Sequence, residues 1–194
     1  MERVSYDIIT PSAARGILQA VMWKPAIQYI IDEIAVCSPI RFENIRRNEV
    51  EFKVNSTEPK AATESRQQRA AMVLKDVRYI ITAHFEMTVK AGPTDNEGKF
   101  ADMIRRRLEK GKNFYMPYLG TREFPAKLRL IGESETSHEP IDETRSFGLM
   151  LYDVEYVTEV GKDGVEVVKE FKPMYFMAHM KQGVIDLRGV EVLK

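Results

Sequence analysis

Hydrophobic positions recur at helical spacing between Thr10 and Pro25. At about 100° per residue, Ala13, Ala14, Ile17, Leu18 and Val21 share one apolar face. Gly16 and Ala20 make a smooth flank, and Arg15, Gln19 and Met22 fall on the opposite, wetter side. Thr10 suits the N-cap because its hydroxyl accepts from an orphan amide of the first turn. Pro11 suits the first helical position, and Pro25 forbids continuation. Met22 breaks the pattern: it is either a half-buried gap-filler or a ligand-facing group at a helix end.

Period-two patterns follow. Ile27–Val36 is rich in β-branched residues and ends at Ser38-Pro39, which predicts a strand. Ile40–Phe42 and Glu49–Val54 are shorter strand candidates, with Glu43–Asn48 between them. Asn55–Gln68 lacks aromatics and reads as a mobile loop. Val77–Val89 alternates most clearly, with Val77, Tyr79, Ile81, Ala83, Phe85, Met87 and Val89 facing a core. His84 falls on its polar face, where it serves a structural hydrogen bond or catalysis.

A second helix is predicted from about Glu97 to Lys110, stopped by Gly111. Its core face is Phe100, Ala101, Met103, Ile104 and Leu108, while Lys99, Arg106 and Lys110 form one basic stripe. A glycine turn carrying Arg122 and a strand at Ala126–Ile131 come next. The remainder reads as antiparallel hairpins: Gly148–Val160 with Val165–Lys172 around Gly161–Gly164, and Met174–Met180 with Val184–Leu187 around Lys181–Gly183. The class is α+β: a split βαβ unit and then a small antiparallel β-sheet. The boundary falls in the acidic stretch after Gly132, giving residues 1–132 and 133–194.

Composition adds charge asymmetry. The net charge is zero, yet from Glu133 to Glu170 there are 11 acidic against 3 basic residues. The rest of the chain is correspondingly basic, with Arg46, Arg47 and Arg105–Arg107 prominent. This fits a polyanion partner or two solvated faces. The lone Cys37 permits no internal disulfide and fits a reducing cytoplasm. No apolar run reaches the roughly 20 residues that span a bilayer.

The chemical inventory is short. It has no glycine-rich phosphate loop, no nucleophile elbow and no two-metal carboxylate cluster. His84, His138 and His179 are too scattered for a metal site. A basic surface on an α/β fold remains, suited to RNA phosphates and to aromatic stacking of unpaired bases. Metal-free RNA cleavage is compatible with it: the ribose 2′-hydroxyl attacks its own phosphate, and a lysine stabilises the phosphorane charge.

Several blocks carry a resemblance. They are Val4-Ser5-Tyr6, Thr10–Leu18, Trp23-Lys24-Pro25-Ala26-Ile27, Pro39–Glu43, Leu74–Tyr79, Ala83-His84-Phe85, Asn96-Glu97-Gly98-Lys99 and Tyr118–Glu123. In this order they resemble the CRISPR-associated repeat-processing protein of type I-C systems; the C-terminal part matches more loosely. The resemblance implies a ferredoxin-like (RRM-like) domain followed by a β-sheet, with one more strand ahead of Val4 that this chain begins too late to supply. It implies a metal-independent endoribonuclease, without cofactor, that cuts the CRISPR repeat hairpin and stays bound to the guide RNA with other subunits of a cytoplasmic surveillance complex. Lys99 matches the family's catalytic lysine. Two further catalytic positions are substituted: Met22 stands where tyrosine or histidine is common, and Phe100 where histidine is found. Arg15, Lys24, Arg46, Arg47, Arg106, Lys110 and Arg122 are the expected phosphate contacts. A non-catalytic RNA-binding subunit and a protein-interaction scaffold are the alternative readings.

Overall fold

The computed structural model describes residues 3–50, 66–132, 135, 139–160 and 166–194. Two compact units interleave along the chain: Met1–Ile8 with Ser38–Val77, and Ile9–Cys37 with Arg78–Lys194. The class is α+β, as the periodicities imply.

The first unit is one sheet. Strand β1 (Arg3–Val4) pairs in parallel with β4 (Arg66–Leu74), and β4 pairs antiparallel with β3 (Phe42–Val50). The segment Glu43–Asn48, expected to separate two strands, is instead the middle of β3. Its ladder runs from Phe42 opposite Leu74 to Val50 opposite Arg66. A remote partner strand supplies the pairing that local propensity does not show. Arg3 grips Glu49 with both guanidinium amino groups, each at 2.9 Å. Of the expected mobile loop, Arg66–Gln68 begin β4, and the part before Arg66 lies outside the described residues.

The second unit follows the order α1, β2, β5, α2, β6, β7, β8, with β1, β3 and β4 excluded from it. Helix α1 (Pro11–Val21) starts where Thr10 and Pro11 predict, and the Thr10 hydroxyl accepts from the Ala13 amide at 3.2 Å. It buries Ala14, Ile17, Ala20 and Val21. Strands β2 (Ile27–Val36) and β5 (Tyr79–Met87) pair antiparallel, and helix α2 (Glu97–Glu109) ends at Gly111 with φ +60°. This α-β-β-α order is the expected one.

The C-terminal part departs in two ways. First, β6 (Arg145–Val160) pairs with one continuous strand, β7 (Glu166–Met180), so the predicted Val165–Lys172 and Met174–Met180 segments merge. Pro173 fits inside because a two-stranded ribbon leaves an open edge that needs no N–H. The turn Gly161–Gly164 lies outside the described residues. Second, β8 (Val184–Asp186) joins the edge of β2, not β7. The turn before it explains why. Gln182 and Gly183 both have positive φ, the Gly183 carbonyl accepts from the Val36 amide at 2.8 Å, and its own amide donates to Glu143. A Cβ on Gly183 would collide with the Ile141 backbone. The expected strand Ala126–Ile131 is not formed; among the described residues it has no neighbouring strand, and the Ala126 amide donates to the Pro117 carbonyl.

The hairpin base supplies Met150, Phe176, Ala178 and Met180 to the core. The Arg15 guanidinium makes a two-pronged ion pair with the Asp153 carboxylate, and both side chains are largely buried. Asp153 also accepts from the Val154 amide at 2.7 Å. Arg15 thus ties α1 to β6.

Removing one partner of a largely buried pair strands the other charge. Arg15→Ala is therefore expected to cost about 2–4 kcal/mol, read as a lower urea midpoint. Replacing both residues by apolar ones of similar size should recover most of that loss. An unchanged midpoint in the single variant would show that the pair does not hold α1.

Candidate functional site

The site grows from the C-terminal end of α1. A helix end leaves its last carbonyls without intrahelical donors, and no glycine cap follows Val21. The Leu18 carbonyl accepts from the Met22 amide at 3.1 Å. The Ala20 carbonyl accepts from the amides of Phe114 (2.8 Å) and Tyr115 (3.3 Å). The Val21 carbonyl accepts from the Arg107 guanidinium at 3.0 Å, and the Met22 carbonyl from the Tyr29 hydroxyl at 2.9 Å. Strand β2, helix α2 and the segment after α2 are all drawn to this end.

Met22 does not face water. It is 1% exposed and packs with Ala26, Ile27, Tyr29 and Phe100, against Leu18, Phe85, Met103 and Ile104. The helical wheel misplaces it because Met22 has left the helix: as C-cap it is extended, with φ −153° and ψ 122°. Phe100 faces the core as expected. The two positions that the family resemblance marks as proton carriers thus share one closed apolar cluster. Burial pushes the Tyr29 phenol up to about 12, with Arg107 pulling the other way. Below that it remains a neutral donor to Met22.

One residue before Phe100, Lys99 points outward. Asn96 caps α2, its side-chain oxygen accepting from the Lys99 amide at 2.9 Å. The Lys99 ammonium, 45% exposed, donates to the Asp95 carboxylate at 2.8 Å, and Asp95 also accepts from the Gly92 amide at 3.0 Å. The Lys99 hydrogen bond first, then that of Gly92, with the charges of Lys99 and Lys24 nearby, hold the Asp95 carboxyl below its ordinary range. Lys24 and Lys99 therefore bear on one carboxylate. An exposed pair of this kind contributes little net stability, so an arriving phosphate can displace it. Sequence reasoning missed Asp95; its signal is an acid four residues before a first-turn lysine.

The other expected cations are dispersed. The Arg106 Nε donates to the Asp102 carbonyl at 3.1 Å, and Lys110 is the C-cap of α2; both are exposed. Arg122 is exposed in a loop closed by the Tyr118–Pro125 bridge. Arg46 and Arg47 lie on β3, in the first unit. Arg15 is committed to Asp153 and leaves the set of phosphate contacts. His84 is half exposed and holds Asp32 through Nδ1 at 2.9 Å, a structural bond across β5 and β2. Among the described residues no group of three or more His, Cys, Asp or Glu is placed to hold a metal, and no helix is long and apolar enough to cross a membrane.

Comparison with known proteins adds the following. The Cas5d family model, described as CRISPR-associated protein (Cas_Cas5), matches residues 1–188. The CRISPR pre-crRNA endoribonuclease Cas5d of Mannheimia succiniciproducens is 44% identical over 204 residues, covering 96% of this chain and 86% of that protein. The protein of the same name from Thermus thermophilus is 36% identical over 196 residues, covering 96% and 82%. Among solved structures, one titled as a CRISPR-associated protein superimposes with a TM-score of 0.70 at 21% identity, over 99% of this chain and 88% of that one. A functionally uncharacterized protein, SMU1763c from Streptococcus mutans, gives 0.69 at 20% identity, over 98% and 87%. These two likenesses concern the fold.

Two neighbouring residues should respond oppositely to truncation. Phe100→Ala opens a cavity in the cluster and is expected to cost about 3–5 kcal/mol. Lys99→Ala removes an exposed pair and should leave the urea midpoint nearly unchanged. Equal losses in urea unfolding would contradict this division between a buried floor and an exposed cation.

Proposed function

Because the chain belongs to the Cas5d family of CRISPR-associated proteins, we propose that it is a metal-independent endoribonuclease that cuts CRISPR repeat RNA. The same reading keeps the guide RNA bound afterwards, with other subunits of a type I-C surveillance complex, in the cytoplasm. Residues 1–132 would do the processing and residues 133–194 form the C-terminal part. The observation that carries the reading is the exposed Lys99 ammonium on its capped helix turn, beside Lys24, at the position matching the family's catalytic lysine.

In the reaction the 2′-hydroxyl gives its proton to solvent water as its oxygen bonds to the adjacent phosphorus, and the bond to the 5′-oxygen breaks as that oxygen takes a proton from water. The products are a 2′,3′-cyclic phosphate and a 5′-hydroxyl. Lys99 exchanges Asp95 for a non-bridging oxygen, where negative charge grows in the phosphorane. Lys24 adds a second positive charge. Arg46, Arg47, Arg106, Lys110 and Arg122 hold phosphates away from the scissile bond. Met22 and Phe100 move no proton, so charge stabilisation and positioning carry the catalysis.

A second reading has specific support: the burial of Met22 and Phe100 also suits a non-catalytic RNA-binding subunit.

Incubation with hairpin repeat RNA in EDTA separates the two. Cleavage ending in a 2′,3′-cyclic phosphate is expected, about 10²–10⁴-fold slower than in a member that retains both proton carriers. Salt-sensitive binding without any cleavage would favour the RNA-binding subunit. Absence of binding at low salt would leave only a protein scaffold. Lys99→Ala should abolish cleavage and largely spare binding; undiminished turnover would remove Lys99 from the mechanism. Replacing Arg106 and Lys110 together should reduce the salt slope of binding by about one to two units, whereas Arg15→Ala should leave that slope unchanged.

A further inference from the structure

Strands β6 and β7 form a two-stranded sheet of their own. Such a ribbon is marginal in water unless something packs on it. Near its base one face is covered, because Met150, Phe176 and Ala178 are buried in the core. Side chains alternate across a strand, so the opposed pair Leu149 and Met177 lies on the reverse face. Followed through its bulges toward the tip, the ladder keeps Tyr156 opposite Phe171, Val168 opposite Thr158, and then Val160 on that same reverse face. Leu149, Met177, Tyr156, Phe171, Val168 and Val160 are each 50–69% exposed. Scattered apolar residues need no partner, but a continuous apolar face does.

The charges of the outer ribbon are gathered on the other face and neutralise one another there. Glu155 lies opposite Lys172, and Glu170 opposite Val157. Lys169 donates to Glu159 at 2.9 Å, Lys172 meets Glu170 at 3.5 Å, and Lys194 meets Glu155 at 3.3 Å. From the Leu149–Met177 pair to the Thr158–Val168 pair, the apolar face carries no formal charge. A nucleic acid finds no cation on it. The β7 edge is poorly suited to adding a strand: Pro173 has no N–H, and the Tyr175 amide and carbonyl both bond to Leu193 at 2.8 Å. The open surface is therefore the face, not the edge.

A second copy of the chain supplies a face of the same length and the same apolar character. Because that face is uncharged, a two-fold pairing sets no like charges against each other. At roughly 100 Å² apiece, the six side chains offer on the order of 600 Å² per copy, so a pair would bury about 1,200 Å², the lower end of the range for specific interfaces. Two ribbons packed face to face make a four-stranded sandwich, which covers in each copy what the ribbon alone leaves open.

We propose that the chain self-associates as a two-fold dimer through the apolar face of the β6–β7 ribbon. The proposal goes beyond the RNA-processing reading and does not depend on it.

Sedimentation velocity of the full chain over about two decades of concentration tests it. Expected is a concentration-dependent monomer–dimer equilibrium that added sulfate strengthens, since the contact is apolar. Phe171→Glu and, separately, Leu149→Lys should each weaken dimerisation at least about tenfold with unchanged far-UV circular dichroism. Leu149 stands where the core holds the ribbon, so its variant decides the matter should Phe171→Glu unfold the tip. Lys169→Ala, which touches only the charged face, should dimerise like the parent chain. A monomer at every concentration would overturn the proposal and leave the face to a different protein. Dimers of undiminished strength in both charged variants would place the interface elsewhere and overturn it equally. Neither result bears on RNA cleavage.

Discussion

The carbonyl groups at the end of α1 are the constraint on which the second unit is assembled. A helix that stops without a glycine cap must find donors elsewhere. Here they come from Tyr29 on β2, Arg107 on α2, and the amides of Phe114 and Tyr115. Three carbonyls in a row, those of Ala20, Val21 and Met22, thereby fix a strand, a second helix and the segment that follows it. Arg107 also places a positive charge where the helix dipole is negative. With α2 anchored through Arg107 in its last turn, its first turn presents Lys99 outward and Phe100 inward. The inward side chain closes over Met22, and the outward one pairs with Asp95.

Much of this was legible in residue patterns, and the failures have physical causes. Thr10-Pro11 and Asn96 with Gly111 mark both helices because caps act within a few residues of the groups they satisfy. Strand β2 matches its expected bounds because Ile27–Val36 is rich in β-branched residues and buried at most positions. The local pattern splits β3 at its polar middle, Glu43–Asn48, whose pairing depends on partners twenty or more residues away. Residues 184–187 were given to the wrong neighbour, because nothing local reveals that the Val36 amide takes the Gly183 carbonyl. Met22 was placed on the wrong side because a 3.6-residue wheel ceases to apply one residue past Val21.

The candidate site was legible in part, for a related reason. Lys99, Arg106 and Lys110 fall out of a helical wheel and are exposed as expected. Arg15 falls out of the same construction, but its charge is consumed within the fold. Asp153 lies 138 positions away, and a wheel holds no information about what approaches its polar side. Asp95 escaped notice because it precedes the helix and shows its role only once α2 starts at Glu97. A count of basic residues therefore overstates the charge offered to a ligand. The first unit adds a further instance, with Arg3 and Arg69 both on Glu49.

The apolar identities of Met22 and Phe100 follow from one another. Both belong to a single cluster closed by Ala26, Ile27 and Tyr29, and the polar group of Tyr29 is already used on the Met22 carbonyl. A histidine or tyrosine at one position alone would set a polar atom against a thioether or a phenyl ring with no free partner, and an unsatisfied buried donor or acceptor costs about 1–3 kcal/mol. Two polar groups together could satisfy one another across the same space, and two apolar groups pack there without that cost. Either matched pair is compatible with this floor, and a mixed pair is penalised. The Lys99 cation stands outside the exchange, because its ammonium reaches solvent and Asp95 whatever fills the floor. On the proposed reading, charge stabilisation at this site is structurally separable from proton transfer, and the exposed Lys99 ammonium is the group that would supply it.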